Sequence, residues 1–265
     1  MNTNATESVT ALQARTDAVQ AFILHHLADS HTLTLPYARV PLPWFVSLHG
    51  LMVMLAAVFL IVLFRFGYRR DAKVPTGLTN FLELFVVFIR DTMVMPYLCK
   101  EDGRRMTPIF CSLFFFILAM NLIGLVPALS TATANLSVTA ALAVISLGFM
   151  VIGAMYRNGP AGFIKGFIPP GVPWPVLALL VPIEIFGLFV KAFALTIRLF
   201  ANELAGHIVV MFMLGLIVIF GAAALPFFFM AVLIYILEVG VAFLQAYIFT
   251  LLSAVFIGQR YHPEH

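Results

Sequence analysis

Long apolar runs, separated by short polar or charged punctuation, organise this chain. Residues 45–64 hold no Asp, Glu, Lys or Arg, which suffices for one transmembrane helix at about 1.5 Å per residue across about 30 Å of hydrocarbon. His49 is the only titratable group in that run. From 107 to 156 neither a charged residue nor a histidine occurs, and Pro127 with the Ser/Thr/Asn-bearing stretch at 130–137 interrupts the middle. This predicts a hairpin of two helices, about 108–127 and about 136–156. Two further apolar segments, roughly 176–217 and roughly 222–258, are joined by a charge-free connection. A helix of roughly 40 residues reaches about 60 Å, twice the hydrocarbon thickness, so each of these must tilt strongly, break or protrude.

Residues 75–98 behave differently. They open on the breaker Val74-Pro75-Thr76-Gly77 and are apolar except for Glu83, Arg90 and Asp91. Those charges leave too short an apolar core for a span, and they predict an amphipathic helix lying at the cytoplasmic surface or half-sunk in it. The first 40 residues are polar with a brief apolar patch at Phe22–Leu24 and lack the basic start and long apolar centre of a secretory signal. The pattern predicts an all-α integral membrane protein with five transmembrane helices, one cytoplasmic-surface amphipathic helix, and a last pair of long, strongly tilted helices forming a hairpin. Residues 1–40 form an extra-membrane tail and 41–265 a single transmembrane domain.

Composition strengthens this picture. The chain is 62% hydrophobic and 10% charged, far from the roughly 25% charged residues of soluble domains. Charge placement then orients it. Of 15 basic residues, 11 (Arg65, Arg69, Arg70, Lys73, Arg90, Lys100, Arg104, Arg105, Arg157, Lys165 and Arg260) fall on one side of the predicted spans, and basic loops stay cytoplasmic. The N-terminus is then outside and the C-terminus cytoplasmic. A formal charge of +3 gives no reason to expect nucleic acid. Cys99 and Cys111 are the only cysteines, and Cys111 sits inside an apolar run, so ordinary thiols are expected rather than a disulfide framework. No Cys/His spacing predicts a metal, and no Gly-rich phosphate loop predicts a nucleotide. No catalytic site and no cofactor is expected in this chain.

The chemistry concentrates in 184–207, EIFGLFVKAFALTIRLFANELAGH, where Glu184, Lys191, Arg198, Glu203 and His207 interrupt an apolar segment. A charge at mid-bilayer costs roughly 2.5–3.5 kcal/mol on insertion scales, so it normally faces a protein partner or a water-filled path. Positions seven apart differ by only about 20° on a helix, so Glu184, Lys191 and Arg198 share a face, with Asn202 one turn beyond Arg198. Glu203 and His207 point away from Arg198 by about 140° and about 180°. On the final segment Glu238 and Gln245 are also seven apart, and antiparallel packing about a turn near 221 brings His207 and Glu238 to similar depths.

The two faces suit different chemistry. Histidine titrates near physiological pH and relays protons beside carboxylates, whereas arginine stays protonated and presents a fixed cation that favours ionisation of a partner carboxyl. Bland readings stand beside these: Arg198 paired internally with Glu184, His207 as a satisfied structural histidine, Lys191 snorkelling to the cytoplasmic interface, Glu184 capping its helix rather than lining an aqueous opening, and Asn121 and Asn135 as packing and turn residues.

The run KAFALTIRLFANELAGH at 191–207 closely resembles the signature of subunit a of the F-type ATP synthase. So do LQAYIF at 244–249, NLIGLVP at 121–127, TANL at 133–136, VPTGL at 74–78 and FIRD at 88–91. The resemblance covers most of 45–260. It implies a bacterial inner-membrane stator subunit that provides two offset half-channels to a rotating c-subunit ring, alongside peripheral-stalk b-type subunits. By position, Arg198 resembles the essential arginine that faces the ring carboxylate, with Asn202 and Gln245 beside it. His207 and Glu238 resemble the pair of the outer half-channel, and Glu184 an acid of the cytoplasmic exit. Glu203 departs from the usual apolar residue, which implies an extra proton site or an additional polar contact. Ala192 for a frequent proline and Gly124 for an occasional acid are local departures.

Overall fold

A computed structural model describes residues 47–67, 77–126, 132–168, 173–220 and 225–261, together with 13–14, 16–19, 21 and the backbone of 32–35 and 38–41. The basic cluster at 69–73, the return turn at 127–131, the loop at 169–172, the connection at 221–224 and the C-terminal 262–265 lie outside the described residues.

Among the described residues, five helices are long and apolar enough to cross a membrane, and the membrane portion is all-α. They are α1 (Leu48–Gly67), α3 (Lys100–Gly124), α4 (Leu136–Lys165), α5 (Trp174–Phe220) and α6 (Leu225–Tyr261). The shorter α2 (Leu78–Phe88) is not among the spans and runs directly into a π-helical turn, Ile89–Val94. In the tail, β1 (Thr32–Leu35) pairs antiparallel with β2 (Ala38–Pro41), with Thr32 opposite Pro41 and Leu35 opposite Ala38. That small hairpin was not anticipated in a tail read only as polar.

Helix boundaries follow local chemistry. The first helix of the predicted hairpin begins at Lys100, eight residues before the expected 108, so Pro108 lies inside α3. A proline removes one backbone donor and crowds the preceding turn. Here Thr107 Oγ1 donates to the Gly103 carbonyl at 2.7 Å and Ser112 Oγ to the Pro108 carbonyl at 2.8 Å, which gives flanking carbonyls a donor of their own. The second helix starts where expected: Asn135 is its N-cap, its side chain accepting from the Ser137 N–H at 2.9 Å. The Gly159-Pro160 punctuation is also real, since Gly159 has φ of 71° and breaks α4 before a final helical turn and a half.

α3 is the central helix, with most of its apolar stretch buried, while α1, α5 and α6 leave most of theirs exposed. α1 packs on one side of α3, α6 on another, and α4, α5 and α6 pack mutually. The core runs through Met52, Phe110, Ile117, Met120, Leu199, Ala246 and Phe249. The short 3-10 turn Ala132–Ala134 lies against α1, α3, α4 and α5, closing one end of the bundle. Among these elements, α5 and α6 hold every predicted site residue. At 47 residues α5 runs about 70 Å at 1.5 Å per residue, more than twice a bilayer core.

Candidate functional site

Helical periodicity divides the polar residues of α5 between two environments. Glu203 is 5% exposed and His207 is half-buried, both turned toward α6, whereas Arg198 is exposed on the opposite side. The separation of about 140° expected on a straight helix therefore survives in the packed bundle. His207 Nε2 lies 3.7 Å from Glu203 Oε1. That is beyond hydrogen-bond distance but close enough for strong attraction in a low-dielectric interior.

From α6, Glu238 enters the same space. It is buried and interacts electrostatically with both His207 and Glu203. Its carboxylate lies against Gly206: a Cβ there would overlap Glu238 Oε1 and sit 3.1 Å from Cδ. Gly206 is thus the residue that admits the carboxyl between the helices, a role invisible in the sequence because nothing in a helical pattern says what fills a missing side chain. Glu203 Oε1 and Glu238 Oε1 are both buried without a hydrogen-bond partner. Buried acceptors in that condition are costly unless a proton or water meets them. Glu203, His207 and Glu238 thus meet between α5 and α6, two carboxyls beside one imidazole.

Tyr235, one turn before Glu238, donates its hydroxyl to the Leu125 carbonyl at the end of α3 and lies within electrostatic range of Glu238. It ties the cluster to the central helix and was not anticipated. Asn121, expected as a packing residue, is fully buried with neither amide atom hydrogen-bonded, and Thr133 is fully buried with an unpartnered hydroxyl.

Arg198 stands apart. It makes no hydrogen bond or ion pair among the described residues, and internal pairing with Glu184 is absent, as about 21 Å of helix between them requires. Its neighbours on the exposed face are apolar or small: Phe193, Ala194, Ile197, Ala201 and Ala205. Asn202 is half-buried and Gln245 buried, and Glu184 is half-buried near the start of α5. Lys191 reaches toward the end of α6. Its Nζ donates to Gln259 Oε1 at 3.0 Å and lies 4.8 Å from the Phe256 ring centroid, joining α5 to the end of α6. Neither Cys99 nor Cys111 is in a disulfide among the described residues. Among the described residues no cluster of His, Cys, Asp and Glu could hold a metal ion.

The family described as ATP synthase A chain matches residues 50–258, most of the chain. The chain belongs to that family. It is 43% identical to ATP synthase subunit a of Myxococcus xanthus over 233 residues, covering 83% of this chain and 76% of that protein. It is 41% identical to ATP synthase subunit a of Chloroherpeton thalassium over 263 residues, covering 91% and 77%. Against ATP synthase subunit a of Anaeromyxobacter dehalogenans strain 2CP-C it is 44% identical over 215 residues, which is 79% of this chain but 56% of that longer relative. The family match contains every site residue on α5 and α6, so the Arg198 face and the Glu203–His207–Glu238 cluster lie inside the shared region.

Proposed function

We propose that this chain conducts protons through the membrane sector of a bacterial F-type ATP synthase and couples their flow to rotation of a c-subunit ring. It is a multi-pass membrane protein of the subunit a family, a family whose members work with other subunits of the membrane sector. Protons enter from the outer side at Glu238, His207 and Glu203, load a ring carboxylate, travel with the ring, and leave near Arg198 toward Glu184. Asn202 and Gln245 line the Arg198 side. Peripheral-stalk b-type subunits hold the assembly, and nucleotide chemistry belongs to other subunits. The basic termini of α1 and α3 face the cytoplasm, with the N-terminus outside and the inner membrane as the location.

One observation carries this reading: a permanent cation on an apolar, exposed helix face, with a buried titratable cluster on the reverse of the same helix. An arginine facing lipid is expensive, so the face belongs against a partner that supplies a carboxylate, and Ala194, Ala201 and Ala205 leave room for a helix to approach. Arg198 then holds that carboxylate ionised at release, and because it cannot give up its own proton it blocks direct leakage between the two paths. The test is ATP-driven acidification by the complete complex in vesicles. Arg198→Ala is expected to abolish coupled pumping with assembly intact, and retained pumping would overturn the assignment.

A further inference from the structure

At the basic end of the bundle, on the side away from the Glu238 cluster, a cleft of about 690 Å³ lies between α2, the π-helical turn and the start of α3. Arg90, Lys100 and Arg104 line it against one acid, Asp91. That acid is already engaged, since Arg90 Nε donates to Asp91 Oδ1 at 2.7 Å. Of the two acids in the first turn of α3, Glu101 is taken by Arg105 at 2.8 Å and Asp102 is buried. Lys100 and Arg104 have no ion pair or hydrogen bond among the described residues, and both belong to a single face of α3, one turn apart.

The same face continues into hydrocarbon. Beyond Arg104 come Thr107 and Pro108, and there the cleft meets two apolar grooves. One, of about 600 Å³, runs between α1 and α3 past Leu60 and Phe64 and shares Val86, Thr107 and Pro108 with the cleft. The other, of about 430 Å³, runs between α3, α4 and the end of α6 past Leu142 and Ile257 and shares Pro108 with the cleft. From Thr107 to Phe116 the helix rises about 14 Å, close to the roughly 15 Å hydrocarbon depth of one leaflet. Polar chemistry thus stops, and apolar grooves begin, at the depth where a lipid changes from headgroup to tail.

We propose that this is a binding site for an anionic phospholipid, with its phosphate held by Lys100 and Arg104 beside Arg90 and its two acyl chains in the grooves on either side of Pro108. The excess of cations selects an anionic over a zwitterionic headgroup, and basic pockets between helices on the cytoplasmic side suit such lipids. The bound lipid bridges α1, α3 and α6, filling space that no side chain among the described residues fills.

The test uses the complete complex in nanodiscs with phosphatidylglycerol carrying a photoreactive group on an acyl chain, and phosphatidylcholine with the same chain. Labelling by the phosphatidylglycerol probe is expected on α1 and α3 peptides lining the grooves, competed by unlabelled phosphatidylglycerol and not by equal inorganic phosphate. Neutralising both cations in Lys100→Gln/Arg104→Gln should weaken competition about thirtyfold, at about fivefold per charge near the surface. Arg105→Gln, which changes a cation held by Glu101, should leave it unchanged. Equal labelling by phosphatidylcholine, indifference to the double substitution, or equal competition by inorganic phosphate overturns the proposal. So does protection of the grooves in the assembled complex, which would mean that a partner subunit fills them. If the double variant does not assemble, the wild-type complex still decides: labelling by phosphatidylglycerol must fall with ionic strength and that by phosphatidylcholine must not.

Discussion

Gly206→Ala isolates the geometry of the buried cluster from its composition. The added methyl would overlap Glu238 Oε1 and sit 3.1 Å from Cδ and 3.4 Å from Cγ. Overpacking of this kind costs about 1–3 kcal/mol, and replacing glycine by alanine within a helix returns about 1 kcal/mol. The net loss of about 0–2 kcal/mol leaves folding and assembly intact. The obstructed group is the end of a rotatable side chain, so the carboxyl yields rather than the backbone, moving about 1 Å to regain van der Waals separation. A misplacement of that size in a transfer site costs on the order of 100-fold, so the functional effect outweighs the structural one. In inverted vesicles, ATP-driven acidification should fall at least tenfold while subunit content stays at the wild-type level. Glu238→Asp withdraws the carboxylate by one methylene, so the double variant should pump better than Gly206→Ala alone, a coupling that independent sites do not show. Wild-type pumping by Gly206→Ala at normal assembly would refute the contact, and a double variant no better than the single would refute the steric mechanism.

Three other substitutions probe the supports. Tyr235→Phe removes the donor to the Leu125 carbonyl and should cost about 1 kcal/mol, read as a lower thermal inactivation temperature of the complex; an unchanged temperature means the hydrogen bond contributes nothing net. Lys191→Met loses both the Gln259 hydrogen bond and the Phe256 contact and should cost about 1 kcal/mol without altering pumping. A pumping defect at wild-type stability would instead place Lys191 on the proton path. Asn135→Ala removes the cap of α4 and should destabilise by about 1 kcal/mol, with Asn135→Asp largely restoring stability.

The five spans were legible because hydrocarbon imposes a length and a composition that no other environment does. The split of α5 into two faces was legible because 100° per residue is enough to place Glu203 and His207 away from Arg198. The start of α3 was not, because the charged Lys100, Glu101, Asp102, Arg104 and Arg105 precede the apolar run and Pro108, ordinarily a helix breaker, lies inside the helix. The β-hairpin left a trace in the alternation Thr32-Leu33-Thr34-Leu35, a period of two. Gly206 and Tyr235 left none, since their roles depend on which atoms of α6 and α3 arrive beside them.

That dependence bears on why Glu203 is an acid. An apolar side chain at this position would still fill the space between α5 and α6, so packing does not require a carboxyl. A carboxyl 95% buried without a hydrogen bond is harder to tolerate than an apolar residue unless it carries a proton or faces a cation. His207 at 3.7 Å is the available cation when protonated, and Glu238 competes for it from the other helix. One imidazole cannot face two carboxyls equally, so the third carboxyl has a use only if it takes part in the transfer. Glu203→Gln, which keeps the shape and removes the titration, should therefore preserve assembly and shift the pH dependence of pumping. Glu203→Leu should do the same with equal or greater stability. A pH profile identical to wild type in both variants would show that Glu203 is a polar packing residue and that the relay consists of His207 and Glu238 alone.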